Sequence, residues 1–413
     1  MRNPLSQIAN VAAPKRLGRD FRWLLSSTVV NSAGDGIVLA AGPLLVASLT
    51  TDPFVVSLAL MFSFLPALIF GAIGGAAADR FDRRRTVIIA NLGRAAVLAV
   101  LVATIVGGTV SVPLILASIF LLGLAETFAD SASVTLLPKM VESDDLGIGN
   151  ARMQGAFLAT NQLIGPPIGA FLFTIGMALP FAANAVAFLL GAVLMSRISS
   201  SIGEVRRTEP AERSSFRKEL AEGIRWLAGH PAMRTLAVTN FTFNVTFGAA
   251  WGVLVLYASE RLGMGPVGFG LLTTAMAIGG ILGTVSYGAL ERRFSLGNIM
   301  RVGLLIETAT QLVLALTTSS AVALVTLFIF GVHNFVWGTT STVIRQRAVP
   351  NELLGRVSGV FRVDQVGGLV IGTLLGGVLA SSFGITAPFW FGFAGSAVLV
   401  VLLWRQFANI AHS

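Results

Sequence analysis

Twelve apolar stretches of 20 residues or more follow one another along the chain, near residues 21–48, 54–78, 86–107, 111–136, 150–174, 178–198, 232–258, 266–290, 298–317, 320–344, 353–380 and 386–407. As an α-helix, a stretch of that length crosses about 30 Å of hydrocarbon. In lipid the backbone must satisfy its own hydrogen bonds, which helices do internally. The pattern therefore predicts an all-α membrane protein with twelve transmembrane helices. Composition agrees: at 54% apolar and 12% charged residues, a soluble chain of 413 residues would have too little polar surface to face water.

Basic residues test the helix count, because Lys and Arg are retained on the cytoplasmic side. With both ends inside, 28 of 29 fall on the cytoplasmic margin, Arg94 being counted with the loop after helix 2; only Arg261 lies opposite. An odd number of helices would scramble that separation, so both termini are expected in the cytoplasm. The net charge of +9 then points to lipid headgroups and not to nucleic acid. Residues 1–20 carry no apolar core ahead of a cleavage site, so the first helix is expected to serve as the targeting signal. The absence of cysteine excludes disulfides and thiol chemistry.

One long polar segment divides the chain, giving an N-terminal six-helix bundle over 1–198, a cytoplasmic linker over 199–230 and a C-terminal six-helix bundle over 231–413. In the linker Phe216, Leu220, Ile224 and Leu227 share one helical face, with Arg217, Lys218 and Arg225 beside it. That pattern fits a helix lying on an anionic membrane surface, and equally a solvated linker with one amphipathic turn. The two bundles repeat one another: LLGLAETFADSAS from Leu121 aligns with IFGVHNFVWGTTS from Ile329 at an offset of 208, which also pairs Gly147 with Gly355 and Gly169 with Gly377. Parallel repeats of this kind are a transporter plan with the binding site at mid-membrane.

Between helices 2 and 3 the chain reads GGAAADRFDRRR, in which Gly75, Asp79, Arg80, Arg83 and Arg84 fit the pattern Gly, three residues, Asp, Arg, any, Gly, Arg, Arg. On these residues the chain resembles the major facilitator superfamily, and most of all its bacterial drug:proton antiporter branch that holds macrolide-efflux and siderophore-export proteins. The resemblance implies a cytoplasmic gate at these five residues, with Asp79 set against a helix N-terminus. Asp82 stands where the superfamily has Gly, which puts a left-handed turn there in doubt. In helix 5, Gly165, Pro166 and Gly169, followed by Ala170, match the core of the superfamily's antiporter motif, although Asn161 replaces one of its upstream glycines. Small residues allow close helix approach and proline bends the helix, as an exchange interface requires.

Five acidic residues fall inside apolar runs: Asp35 in helix 1, Glu126 and Asp130 one turn apart in helix 4, Glu307 in helix 9 and Asp364 in helix 11. Each would cost about 2.5 to 3.5 kcal/mol on a lipid-facing helix centre, so each is expected to face the interior. Proton coupling is assigned to Asp35, Glu126 and Asp130, in that order. Asp364 has Arg362 nearby to pair with, and Glu307 is expected to pack or snorkel, helix 9 being peripheral in the resembled fold. Relatives carry an arginine in helix 4 where this chain has Ile119, which removes the usual route for passing charge.

Helix 7 offers a substrate wall of Phe243, Phe247 and Trp251 at four-residue spacing, with Asn240 and Asn244 on an adjacent stripe; Asn31 and His333 join the expected cavity. Aromatic faces with a few amides suit a large, sparsely polar ligand, although an aromatic stripe also packs without binding. GMGPVG from Gly263 has no strand before it, and no Gly-Lys-Ser/Thr loop is present for ATP. Three scattered histidines give no metal constellation. The expected activity is therefore not enzymatic: a monomeric multi-pass antiporter of a bacterial plasma membrane, without a cofactor, that uses the proton gradient to export small hydrophobic or amphipathic compounds. Its partners are the substrate, protons and membrane lipids. A uniporter or symporter for a nutrient or lysolipid on the same fold is the alternative.

Overall fold

A computed structural model describes residues 15–203 and 216–409. Helices α1 (Gly18–Ala47), α2 (Pro53–Arg80), α3 (Arg83–Val106) and α4 (Val112–Val134) come first. The span α5 begins at Leu146–Phe157, passes through a π-helical stretch, Leu158–Ile164, and ends with Gly165–Ile175. After α6 (Leu179–Ser196) comes a connector helix, Phe216–Gly229. The span α7 is broken, Pro231–Gly252 being followed by Leu254–Arg261 at a bend of 46°. Helices α8 (Pro266–Arg293), α9 (Leu296–Leu316), α10 (Ser320–Ala348), α11 (Asn351–Phe383) and α12 (Ala387–Asn409) complete the twelve.

Local chemistry sets these boundaries. Pro53, Pro113, Pro180, Pro231 and Pro266 each sit in a first helical turn, where the missing N–H costs nothing. Gly108, Gly263 and Gly384 take positive φ in the turns that end α3, α7 and α11, a conformation that glycine adopts without a Cβ penalty. Outward faces carry exposed Val134, Val285, Phe383 and Val401, apolar surface that matches acyl chains.

The helices pack as two compact units. The first contains α1, the part of α2 from Leu65 onward and α3 to α6; the second contains Val46–Phe64, the connector helix and α7 to α12. Matching crossings recur in both, each with glycines that let backbones meet. In the first unit, a Cβ on Gly169 would lie 2.0 Å from the Ile37 carbonyl oxygen, where α5 crosses α1. In the second, a Cβ on Gly372 would lie 2.2 Å from the Val245 carbonyl oxygen, where α11 crosses α7. Gly74 of α2 abuts Thr127 of α4, and Gly279 of α8 abuts Phe328 of α10. The two units thus repeat the same helix crossings, though not residue for residue: Gly377, the sequence mate of Gly169, meets Phe54 and Ser57 of α2.

Two local expectations change. Asp82 has φ −59° and caps α3, its carboxylate accepting from the Arg85 N–H at 2.8 Å. No left-handed turn is made there, so glycine is not required. The connector helix is docked on protein along one face. Its Gly223 is pressed against the Arg356 carbonyl and Val360 of α11, Glu222 pairs with Arg356 at 2.7 Å, and Trp226 and Leu227 pack on a core that includes Met233, Val357 and Phe361. Ile224 points outward, half exposed. The linker before it, 204–215, and the side chains of Phe216 and Arg217 lie outside the described residues.

Candidate functional site

The sequence Gly34-Asp35-Gly36 inserts a carboxylate where α1 is gripped on two sides. A Cβ at Gly34 would strike the Asn184 side chain of α6 at 2.1 Å, and one at Gly36 would strike the Asn161 carbonyl of α5 at 2.5 Å. Asp35 is thereby fixed between α5, which approaches to backbone contact, and the side chains of Asn184 and Ala187 on α6. Pro166 and Pro167 lack N–H groups, and the Gly165 N–H reaches back to the Thr160 carbonyl, a π-type bond; the irregular winding of α5 follows from this chemistry. Gly165 and Pro166 are buried, and a Cβ on Gly165 would meet the Gly36 backbone at 2.6 Å. The antiporter-motif residues therefore form the seat of the α1 turn that carries Asp35.

Facing Asp35 is a residue that the tally of basic residues misplaces. Arg94 does not lie by a loop: it is the twelfth residue of the 24-residue α3 and only 4% exposed. Its guanidinium lies over the Phe188 ring of α6, 4.8 Å from the centroid. One amino group, Nη1, is 3.7 Å from Asp35 Oδ2, and the other, Nη2, is 3.7 Å from Glu126 Oε2 of α4. These are ion pairs without hydrogen bonds, since both distances exceed bonding range and Nε and Nη2 have no hydrogen-bond partner. Arg94 is suspended between two carboxylates and committed to neither. A buried guanidinium is thus present even though Ile119 occupies the usual position on α4, and it comes from α3 instead.

The carboxylates differ in access, Asp35 being 28% exposed and Glu126 52% at the side chain, so both reach solvent-accessible space while Arg94 does not. Asp130 is exposed one turn beyond Glu126. Asn184, beside the Asp35 turn, is buried with its Oδ1 unsatisfied. Asn91 is fully buried with neither side-chain polar atom satisfied, and Asn31 Oδ1 is likewise unsatisfied, 1.9 Å from where a Cβ on Gly191 would stand. Among the described residues no group of three or more acidic, His or Cys side chains suits a metal.

At the α2–α3 loop, Gly75 and Arg80 are exposed, and the side chain of Asp79 lies outside the described residues. Arg84 donates to the last carbonyls of α6, to Met195 O at 3.3 Å and to Ser196 O, where a cation meets the negative end of a helix. Arg83 is half-buried with an unpartnered Nε.

In the second unit the wall of α7 divides. Phe247 and Trp251 line a small, open cleft with Ala250, Gln311, Phe330 and Phe389. Phe243 instead stacks with Phe330 and Trp337 inside the unit. Asn240 is spent on structure, accepting from Trp337 Nε1 at 2.9 Å and donating to Ser341 Oγ at 3.0 Å; Asn244 donates to the Asn240 carbonyl. His333 is buried behind the aromatic rings and does not line the pocket. Glu307 does not snorkel: it is packed in the interior, 1% exposed, and accepts from Gln311 Nε2 at 3.0 Å. Asp364 is not paired with Arg362, which is exposed, and its Oδ2 is buried without a partner.

Arg94, Gln311 and the two glycines flanking Asp35 are absent from the expected site. A signal for Arg94 was present in the interruption of an otherwise apolar run by Asn-Leu-Gly-Arg.

The family profile of the Major Facilitator Superfamily matches residues 24–364. The multidrug efflux pump Tap of Mycolicibacterium fortuitum is 27% identical over 380 residues, 89% of this chain and 90% of its own length. The enterobactin exporter EntS of Escherichia coli O9:H4 (strain HS) is 25% identical over 399 residues, covering 95% and 92%. Among solved structures, a bacterial homologue of the iron transporter ferroportin in its inward-facing state superposes with a TM-score of 0.75 at 17% identity, over 95% of this chain and 99% of the other. At that identity the likeness speaks for the fold alone.

Proposed function

Since this chain belongs to the Major Facilitator Superfamily, we propose that it is a proton-coupled antiporter that exports small hydrophobic or amphipathic compounds across a bacterial plasma membrane by alternating access. The observation that carries the reading is Arg94, held 3.7 Å from each of two carboxylates on different helices. With both carboxylates ionised the cluster has one surplus negative charge, which a single proton neutralises. A proton on Asp35 releases Arg94 to Glu126; its departure draws Arg94 back. Because Asp35 is wedged between α5 and α6, a change in its pairing acts on the α1–α5 crossing directly.

Transport requires proton and substrate to favour different conformations, for a ligand shifts an equilibrium only by its differential affinity. Outward export accords with the names of the relatives, a multidrug efflux pump and an enterobactin exporter. The relatives' names extend the reading to drugs and siderophore-like compounds, and the aromatic lining of the cleft at Phe247 and Trp251 is in keeping with an apolar cargo once the cleft widens. The basic margin supports a topology with both termini in the cytoplasm, in which Gly75, Asp79, Arg80, Arg83 and Arg84 would act as the gate.

The test is purified protein in liposomes with an imposed pH gradient and a panel of labelled drugs, siderophores and lysolipids. Asp35→Asn is expected to abolish proton-driven export while the protein still folds. Wild-type rates in that variant, or inward flux indifferent to the gradient, would refute the assignment.

A further inference from the structure

The packing repeat places α9 and α10 of the second unit where α3 and α4 stand in the first. The first pair carries Arg94 and Glu126. The second carries Glu307 and His333, with the acidic and basic partners exchanged between the helices. All members of the second cluster are deeply buried: Glu307 is 1%, Gln311 2% and His333 3% exposed. Gln311 Nε2 donates to Glu307 Oε1 at 3.0 Å. His333 Nε2 and Glu307 Oε2 stand 4.0 Å apart, and each lacks any hydrogen-bond partner.

The backbone makes room for this cluster. One turn before Glu307 is Gly303, where a Cβ would come within 2.8 Å of His333 Cε1 and 2.9 Å of Trp337 Cε3. Gly392 of α12 does the same for Gln311, at 2.7 Å from its Cδ. Phe243, Phe330 and Trp337 present rings to the imidazole with centroids 5.9, 6.1 and 5.8 Å away.

Among the described residues no strong cation balances Glu307: Arg292 and Arg293 close α8, and Arg345, in the last turn of α10, lies over the Phe361 ring. On α9 itself Arg301 is spent on the Trp404 carbonyl; on α12 the basic residue is Arg405, near the far end; and on α8, Tyr287 and Glu291 lie near the end where Glu291 pairs with Arg347 of α10. Beyond α9, Tyr257 donates to the Leu314 carbonyl and Arg261 to the carbonyls of Leu316 and Thr317. A carboxylate removed from water without a countercharge costs several kcal/mol. A single proton removes that cost, either as a carboxylic acid beside a neutral imidazole or as a carboxylate beside an imidazolium. Both forms put a donor between Nε2 and Oε2, and a shift of about 1 Å closes the gap to hydrogen-bond length.

We propose that Glu307 and His333 form a second proton-binding site, lodged in the C-terminal unit and joined through Gln311 to the aromatic pocket. Gln311 lines that pocket while its Oε1 remains without a partner. That acceptor is buried against Gly392, so an apolar ligand bearing an amine or hydroxyl reaches it only by turning the Gln311 amide, which draws Gln311 from Glu307 and alters how firmly the proton is held. The site stands independently of the coupling assigned to Asp35.

Infrared pH-difference spectra of the full-length protein in lipid nanodiscs test it. The wild type is expected to show an exchangeable carboxylic C=O band that Glu307→Gln abolishes, that His333→Gln shifts, and that persists in Asp35→Asn. Because the chain has three histidines, ¹⁵N-imidazole spectra isolate the His333 signal by its loss in His333→Gln, and that signal is expected to move in Glu307→Gln. Glutamine at 307 preserves shape and a hydrogen bond to Gln311; His333→Gln probes the pair from its other side. A spectrum unchanged by Glu307→Gln, or a Glu307 band unmoved by His333→Gln, overturns the proposal.

Discussion

Removing the charge of Arg94 is the perturbation with the most to say about the first unit. Arg94→Met keeps an apolar stem over Phe188 while leaving Asp35 and Glu126 without their shared cation. At 3.7 Å and an effective dielectric of about 20, each pair is worth about 4 kcal/mol. The Glu126 side chain is 52% exposed, so water screens its share to about 1 kcal/mol or less. Asp35, at 28%, retains more. The expected loss is about 2 to 4 kcal/mol, dominated by Asp35. Thermal unfolding in detergent, followed by the fluorescence of the six tryptophans, reads it. Asp35→Asn in the same background is expected to restore much of the stability, giving a coupling of about 1 to 3 kcal/mol in a double-mutant cycle. Exchange activity is not expected to return, since neither partner of the switch remains. Single-variant losses that add to within about 0.5 kcal/mol would mean that the two groups do not interact. Wild-type export by Arg94→Met would mean that the interaction is irrelevant to transport.

Gly169→Val is expected to disrupt the α1–α5 crossing, its Cβ falling 2.0 Å from the Ile37 carbonyl oxygen, with a loss exceeding the usual 1 to 3 kcal/mol of overpacking and a fall in export. Asp82→Ala is expected to cost about 1 kcal/mol through loss of the α3 cap, whereas Asp82→Asn keeps most of it; equal melting temperatures for the two would contradict the capping role. Gly223→Leu is expected to lift the connector helix from α11, read as faster protease cleavage in the linker, and unchanged digestion would show that the helix is not docked. Since the chain lacks cysteine, single cysteines report sidedness without background: at Ser214 labelling in intact cells is expected only after permeabilisation, and at Gly263 before it.

Membrane class, helix count and the two-fold repeat were legible because hydropathy and charge act over whole helices and survive the loss of any one residue. The close helix approach at Gly165, Pro166 and Gly169 was legible because glycine and proline change what a helix can do wherever they stand. Arg94 was not, since the cytoplasmic margin is itself rich in arginine and a buried guanidinium has the same letter as an exposed one. Nor was the fate of the α7 amides. Asn240 and Asn244 have a spacing that suits a ligand, yet the Trp337 indole and the helix's own carbonyl claim them, and such partners come from tertiary contacts. Glu307 and Gln311 share a helical face by the i, i+4 rule, but the imidazole opposite belongs to another helix.

The π-helical part of α5 makes transport sensitive to counting. A π turn takes in one more residue than an α turn, so excising one residue from Leu158–Ile164 would let the span rewind smoothly. Everything downstream would then swing by about 100°, carrying Gly165 and Gly169 off the flank of α1. Such a deletion leaves hydropathy, charge and span length almost untouched, yet it is expected to undo the α1–α5 crossing that this packing builds.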